Sequence, residues 1–277
     1  MKQLSGWLHF IQGLAVAAIA CMSLLALPGC ATQADGQRAT EGMADLVTDS
    51  DESPERKRAR IRVELALGYF QQGKTTIALD EIKQAIQADP TFFDAQNLRG
   101  LIYMSLNDAG LAEDSFNKAL ALRPNNPDVL HNLGWLKCHQ ARYPPAIDYF
   151  SRALANPQYR ERAKTWMTLG LCQQRADLPQ AAEQSLLKSY EYDASNPVTG
   201  YNLALLLHRR SDDGRAAFYI RRLNNSELAN AESLWLGIRI ERRLGNRDAM
   251  AQLGAQLDKR FAQAPEAAAY RRGAFEE

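Results

Sequence analysis

The stretch DAQNLRGLIYMSLNDAGLAEDSFNKALALRPNN, from Asp94 to Asn126, repeats its landmark residues along most of the chain at one fixed spacing. Within it Gly100 and Tyr103 are spaced as on one helix, Ala112, Phe116 and Ala119 fall on a second helix, and Pro124 closes the unit. The same places hold Ala66, Tyr69, Ala78, Ile82, Ala85 and Pro90 at 34 residues upstream, and Gly134, Lys137, Ala146, Phe150, Ala153 and Gln158 at 34 residues downstream. The stretch therefore predicts one helix-turn-helix unit of a repeated array.

A period of 34 residues in such units is typical of the tetratricopeptide repeat, which buries a core only by stacking on neighbouring units. Units are predicted at 59–92, 93–126, 127–160, about 163–196, 197–230 and, in degenerate form, 231 to about 264, with Glu161 and Arg162 intervening before the fourth. Residues 265–277 are predicted to be the remains of a capping helix. The predicted fold class is all-α, a superhelical solenoid of about six units over residues 59–264.

Small residues and prolines recur at places that suit close helix packing. Gly100, Gly134 and Gly170 are expected to let each first helix approach its second helix closely. Pro144, Pro145 and Pro179 fall at the predicted starts of second helices, where a missing N–H removes no hydrogen bond.

Composition argues against nucleic acid as a partner. The 277 residues include 33 Lys and Arg against 32 Asp and Glu, a formal net charge of +1, whereas a phosphate-binding protein concentrates basic charge in a patch. Of the histidines, His131 and His139 are eight residues apart, too far for a zinc-binding pair at i and i+4. No Gly-rich phosphate loop, Gly-x-Ser-x-Gly or Cys-x-x-Cys motif is present. We therefore predict no enzyme, no cofactor, no metal and no small-molecule substrate.

Residues 1–29 are predicted to be a lipoprotein signal peptide. Lys2 and the amino terminus precede an uncharged apolar run from Leu14 to Leu27, which suits a signal peptide and is short for a membrane span. The following Leu27-Pro28-Gly29-Cys30 resembles the bacterial lipobox, in which the Cys is lipidated and begins the mature chain. The alternative is an uncleaved anchor with an incidental Cys. Ala31, rather than Asp, follows Cys30, and this resembles the pattern of lipoproteins sent to the outer membrane.

Residues 30–58 are predicted to form the lipidated Cys and a flexible acidic tether, because this segment is polar and has little apolar periodicity. Beyond it, Cys138 and Cys172 are the remaining thiols, and both fall on first helices of consecutive units. A disulfide between them is open in an oxidising compartment. The repeat frame puts them at different positions on their helices, so two buried, unpaired thiols are the preferred prediction.

A solenoid of this kind offers the concave surface formed by its first helices for binding. The places in each unit that usually face this groove hold Val63, Leu67, Phe70, Asn97, Leu101, Met104, His131, Trp135, Cys138, Tyr201, Leu205 and His208. The groove is therefore expected to be apolar at its N-terminal end and more polar and aromatic farther on, as suits an amphipathic partner. Core packing is the alternative role for Leu67, Leu101 and Leu205. Val63 and Leu67 offer no donor where another kind of tetratricopeptide groove grips a C-terminal carboxylate, so that mode is disfavoured.

Several features together resemble one family. They are the lipobox, the acidic tether, about six repeats, the segments GLIYMSLNDAGLAEDSFNKALALRPNNPDVLHNLGW (Gly100 to Trp135) and GYNLALLLHRR (Gly200 to Arg210), and the end YRRGAFEE (Tyr270 to Glu277). This combination resembles the type IV pilus biogenesis lipoproteins, the PilF/PilW-type pilotins, over nearly the whole chain.

The resemblance implies a non-catalytic, chaperone-like protein on the periplasmic face of the outer membrane, anchored by lipid on Cys30. Its implied partner is the secretin subunit of the type IV pilus machinery, whose outer-membrane localisation and multimer assembly it would promote. The alternatives are an envelope scaffold lipoprotein that recruits peptidoglycan hydrolases or outer-membrane barrel assembly proteins through the same groove, and an enzyme with an unrecognised site.

Overall fold

The computed structural model describes residues 51–275 of the chain. The predicted signal peptide at 1–29, the lipidation site Cys30 and most of the predicted tether lie outside these residues. None of the helices between residues 51 and 275 has the length and apolar character needed to cross a membrane.

The described residues form thirteen helices and no strand, which confirms the predicted all-α solenoid. Their bounds are α1 (Pro54–Gln71), α2 (Thr75–Ala88), α3 (Phe93–Ser105), α4 (Ala109–Leu122), α5 (Pro127–His139), α6 (Tyr143–Leu154), α7 (Arg162–Arg175), α8 (Pro179–Tyr192), α9 (Pro197–Arg209), α10 (Asp213–Asn224), α11 (Ala231–Arg243), α12 (Arg247–Arg260) and α13 (Pro265–Arg272). Odd-numbered helices up to α11 are the first helices of six units, and even-numbered helices are the second.

Several helix starts carry a side-chain cap, among them those of α1 and α5. Asn126 accepts hydrogen bonds from the backbone N–H groups of Asp128 and Val129 at 3.1 and 3.2 Å, and Pro127 occupies the first turn, where no N–H is needed. Ser53 caps α1 in the same way, accepting from the N–H of Arg56 at 3.2 Å. The helix therefore begins at Pro54, so the last five residues of the predicted tether, 54–58, are helical instead.

Neighbouring units are joined where each second helix packs on the next first helix, and also where consecutive first helices meet. α1 contacts α3, α3 contacts α5, and the series continues to α9 with α11, whereas no such contact joins second helices of neighbouring units among residues 51–275. The first helices therefore lie closer together and form the inner, concave surface of the array.

Glycines permit the close approach of the two helices within a unit. A Cβ built on Gly134 would lie 2.8 Å from the ring of Phe150, and one on Gly170 would lie 2.7 Å from Leu186. These glycines are 36 residues apart, because Glu161 and Arg162 lengthen the connection before α7. The small residues predicted to serve packing do so at these two positions and at Gly100, where a Cβ would clash with the ring of Phe116.

Gly134→Ala should destabilise the protein by about 1–3 kcal/mol, because the added methyl would overpack against the buried Phe150 ring. Gly200→Ala is the matched control. Its Cβ would meet nothing within 4 Å on α9, so the better helix former should stabilise the protein by about 0.5–1 kcal/mol. Urea unfolding followed by circular dichroism measures both changes, and equal effects of the two variants would contradict the tight contact.

The C-terminal end is closed by α13, which packs on α11 and α12. Tyr270 lies directly against Gly254, where a Cβ would clash with the phenol ring. Gly273 ends α13 in the left-handed region at φ 68°, where a glycine carries no strain. Phe275 then stacks on Trp235 with ring centroids 5.6 Å apart. Residues 265–275 thus cover the core of the sixth unit.

Candidate groove on the concave face

The N-terminal part of the concave face is apolar and partly open. Leu67 on α1 is 44% exposed, whereas Val63 and Phe70 are half-buried against the core shared by α1, α2 and α3. Leu101 packs against the cores of both the first and second units. Of this predicted lining, Leu67 is thus the side chain most available to a partner.

Trp135 lies on α5, at a predicted groove position of the third unit, and lines two cavities. Its ring stacks on His139 at 5.2 Å between centroids, and burial with the nearby Arg175 lowers the pKa of His139. Trp135 separates two cavities. One of about 270 Å³ is shared with Met104 and Gln140, and one of about 40 Å³ is shared with Leu171 and Arg175.

His131 was predicted to line the groove, but it lies in the interior, 4% exposed. Its Nδ1 is hydrogen-bonded to Thr165 Oγ1 at 2.8 Å, and Thr165 Oγ1 lies 2.9 Å from the Tyr159 hydroxyl. Burial, with Lys164 adding to the effect, lowers the pKa of His131 to about 4. Burial also raises the pKa of Tyr159 to about 12. The lengthened connection after α6 supplies Tyr159 and closes this network over His131.

Cys138 and Cys172 form a disulfide, so the prediction of two unpaired thiols is wrong. Their Cα atoms are 5.8 Å apart, a separation that suits the bond. Cys138 and Cys172 do fall at different positions of the repeat frame. Contacts between these neighbouring first helices, however, join residues at non-equivalent positions of the repeat. The pair His131 and Thr165 shows the same separation of 34 residues on the same two helices. The disulfide joins α5 to α7 and borders the smaller cavity beside Trp135.

The C-terminal part of the groove carries aromatic and cationic side chains. Tyr201 and Leu205 are half-buried against the fifth unit's core, as expected for groove positions shared with packing. Burial raises the pKa of Tyr201; Glu232 and Glu266 add to the rise, and the nearby Arg209 and Arg239 oppose it. His208 is buried and its Nδ1 is hydrogen-bonded to Asp213 Oδ1, so it lies beneath the surface.

Asn97 on α3 accepts a hydrogen bond from the side chain of Asn132 at 3.0 Å, which ties the second unit to the third.

Sequence reasoning did not select Leu171, Arg175, Arg239 or Trp235. Counting the groove positions from Gly170, two residues beyond the strict 34-residue period, identifies Leu171 and Arg175.

No group of three or more His, Cys, Asp or Glu side chains that could hold a metal ion occurs between residues 51 and 275. The side chains that line the cavities along the first helices include apolar, aromatic and guanidinium groups, which suit the binding of another chain.

Comparison with known proteins agrees with this architecture. Two tetratricopeptide repeat family models match residues 63–127 and 115–147. The type IV pilus assembly protein PilF of Pseudomonas aeruginosa is 29% identical over 226 residues, covering 79% of this chain and 90% of that protein. An uncharacterised protein of Haemophilus influenzae is 29% identical over 135 residues, covering 49% of this chain and 75% of the other.

Two solved structures share the fold over most of the chain. The structure of Pseudomonas aeruginosa PilF has a TM-score of 0.71 and 27% identity, covering 80% of this chain and all of that one. The structure of PilW, described as a widely conserved type IV pilus biogenesis factor, has a TM-score of 0.68 and 28% identity, and the match covers 76% of this chain and 97% of PilW. From its repeats, its fold and these relatives, the chain is a tetratricopeptide-repeat protein of the PilF/PilW type.

Proposed function

We propose that the protein is an outer-membrane lipoprotein pilotin that acts in type IV pilus biogenesis. It binds the secretin subunit of the pilus machinery through its concave groove and promotes the subunit's outer-membrane localisation and multimer assembly. Its role is non-catalytic. The lipid on Cys30, outside the described residues, attaches it to the periplasmic face of the outer membrane, since several acyl chains give stable attachment.

The observation that carries this proposal is the open apolar and aromatic strip on the first helices, in a chain related to a protein named for pilus assembly. Leu67 is exposed on α1, and Trp135 stands between two cavities on α5. Exposed aromatic and aliphatic side chains beside clefts are typical anchors for a partner chain.

The disulfide supports the proposed periplasmic location of the protein. Disulfides persist in secreted and periplasmic proteins and are rare in the reducing cytosol. The bond between Cys138 and Cys172 lines the cavity beside Trp135. An oxidising compartment would keep this bond, and with it the described lining of the groove, intact.

Leu67→Glu and Cys30→Ser should separate the two parts of this function. Leu67→Glu puts a charge into the apolar strip, so we expect capture of the secretin subunit from detergent-solubilised membranes to fall roughly tenfold or more, with the protein still in the membrane fraction. Cys30→Ser should leave capture intact and move the protein out of the membrane fraction, with fewer secretin multimers in the outer membrane. Immunoblots of fractions and of co-purified secretin measure both effects.

Phe218→Glu is the control, because Phe218 is 60% exposed on the second helix α10, away from the concave face. It should capture the secretin as the unchanged protein does. Undiminished capture by a helical Leu67→Glu protein would contradict the groove, and a membrane-bound Cys30→Ser protein would contradict the lipid anchor. Leu101→Glu is a weaker test, since Leu101 also packs between two cores.

A further inference from the structure

The lining of the groove changes from neutral to cationic between the third and fourth units. One helical turn after an apolar groove side chain, the first three units carry Gln71, Ser105 and His139, which follow Leu67, Leu101 and Trp135. At the same place the fourth and fifth units carry Arg175 and Arg209, which follow Leu171 and Leu205. The sixth unit carries Arg239 one turn earlier in its frame, four residues after Trp235. Side chains four residues apart lie on the same helix face, so each arginine extends the apolar strip with a positive charge.

These three arginines have no carboxylate within ion-pair distance among residues 51–275, unlike others close to them. Arg210, next to Arg209, pairs with Glu183. Arg243, one turn after Arg239, pairs with Asp213 at 3.0 Å. Arg210 and Arg243 are therefore engaged with carboxylates, while the guanidinium groups of Arg175, Arg209 and Arg239 remain available to a ligand.

Each of the three arginines is close to a groove side chain. Arg175 borders the cavity beside Trp135 and acts on His139. Arg209 and Arg239 both act on the phenol of Tyr201, although Glu232 and Glu266 act on the same ring with the opposite sign. The positive charge thus follows the groove rather than a single point on the surface.

Helix electrostatics accounts for part of this pattern. Arg175 and Arg209 end α7 and α9, where a cation also favours the helix dipole. Arg239 lies a turn before the end of α11, and its counterpart in α9 is the apolar Leu205. The dipole therefore does not explain all three positions.

We infer that the groove selects a partner segment whose apolar side chains are continued by carboxylates, the apolar part lying on units one to three and the acidic part on units four to six. This inference rests on the proposed partner-binding groove and adds the chemistry of the partner. Charge complementarity is what carries it, because an exposed guanidinium beside an apolar strip favours a carboxylate and discriminates against a cation.

The test uses the full chain and a pair of labelled peptides of roughly 16 residues, both with leucines at helical spacing in the first half. One carries glutamates in its second half and the other carries glutamines. By fluorescence anisotropy we expect the Glu peptide to bind about tenfold more tightly at about 50 mM salt, and this advantage to disappear near about 500 mM. The triple variant Arg175→Glu, Arg209→Glu, Arg239→Glu should lose the advantage. The matched control Arg142→Glu, Arg160→Glu, Arg247→Glu, with the same change in net charge off the strip, should keep it.

The same two triple variants are then tested for capture of the secretin subunit. Equal binding of the two peptides, binding of neither up to about 1 mM, or equal losses in the two triple variants would overturn the inference. A groove triple variant that captures the secretin normally at low salt, while Leu67→Glu does not, would overturn the inference and leave the proposed function standing. Failure of the unchanged protein to capture the secretin would count against the proposed function, and the peptide pair would still decide the inference.

Discussion

Replacing both Cys138 and Cys172 with alanine should lower the free energy of unfolding by about 3–4 kcal/mol. The bond closes a loop of 34 residues, and without it the unfolded chain regains the conformational freedom that the loop removes. Urea unfolding of the unchanged and the double-alanine proteins measures the loss. Without the bond, we expect the groove side chains beside it to be held less rigidly, among them Trp135 and Leu171.

Reduction provides the control for this prediction. A reductant should destabilise the unchanged protein by nearly the same amount as the double replacement, and it should have no effect on the double-alanine protein. If the oxidised and reduced forms of the unchanged protein unfold at the same urea concentration, the bond does not stabilise the fold.

Acidification should destabilise the protein through His131, by about 3 kcal/mol between about pH 6.5 and pH 4. The pKa of this group is lowered to about 4 in the folded protein, whereas the unfolded chain takes up the proton near 6.5. Stability from His131 is therefore complete above the unfolded pKa and falls as the pH drops toward the folded pKa. Above about pH 7 the same group should contribute no pH dependence.

His131→Gln is the comparison for this prediction, because glutamine keeps a polar group toward Thr165 and does not titrate. Between about pH 7.5 and pH 4.5 the unchanged protein should lose roughly 2–3 kcal/mol more than His131→Gln. Glu241, whose pKa is lowered by Arg221, titrates in both proteins and cancels in the difference. Parallel pH profiles would show that His131 does not carry the effect.

The repeat architecture could be predicted from the sequence because packing fixes residue size at regular intervals. Where a second helix presses a ring onto its partner, as Phe150 does on Gly134, only glycine fits. The same place holds glycine or alanine in each of the first five units, as with Gly100 and Ala66. The helix starts were equally readable, since Asn126 with Pro127 is a local capping signal. The start of α1 was missed because Ser53 with Pro54 gives the same signal outside the repeat frame.

The residue contacts between neighbouring units could not be predicted from the sequence in the same way. The two extra residues before α7 shift its frame, and contacts between α5 and α7 still join residues 34 apart, as for Cys138 with Cys172. Assuming contact between equivalent positions therefore hid the disulfide. The same lengthened connection contains Tyr159, which completes the network that buries His131. Groove positions such as Leu67 and Trp135 stay predictions as binding residues, because exposure alone does not identify a partner.

The position of the disulfide in the array also bears on the order in which the protein comes apart. In a stack whose units contact chiefly their neighbours, local opening begins at the two ends and moves inward. A covalent joint between the third and fourth units turns the middle of the stack into one block that separates last. The surface of Trp135, His139 and Arg175 therefore keeps its geometry while the terminal units open and close, so a chain bound there stays held as the ends of the groove exchange with solvent.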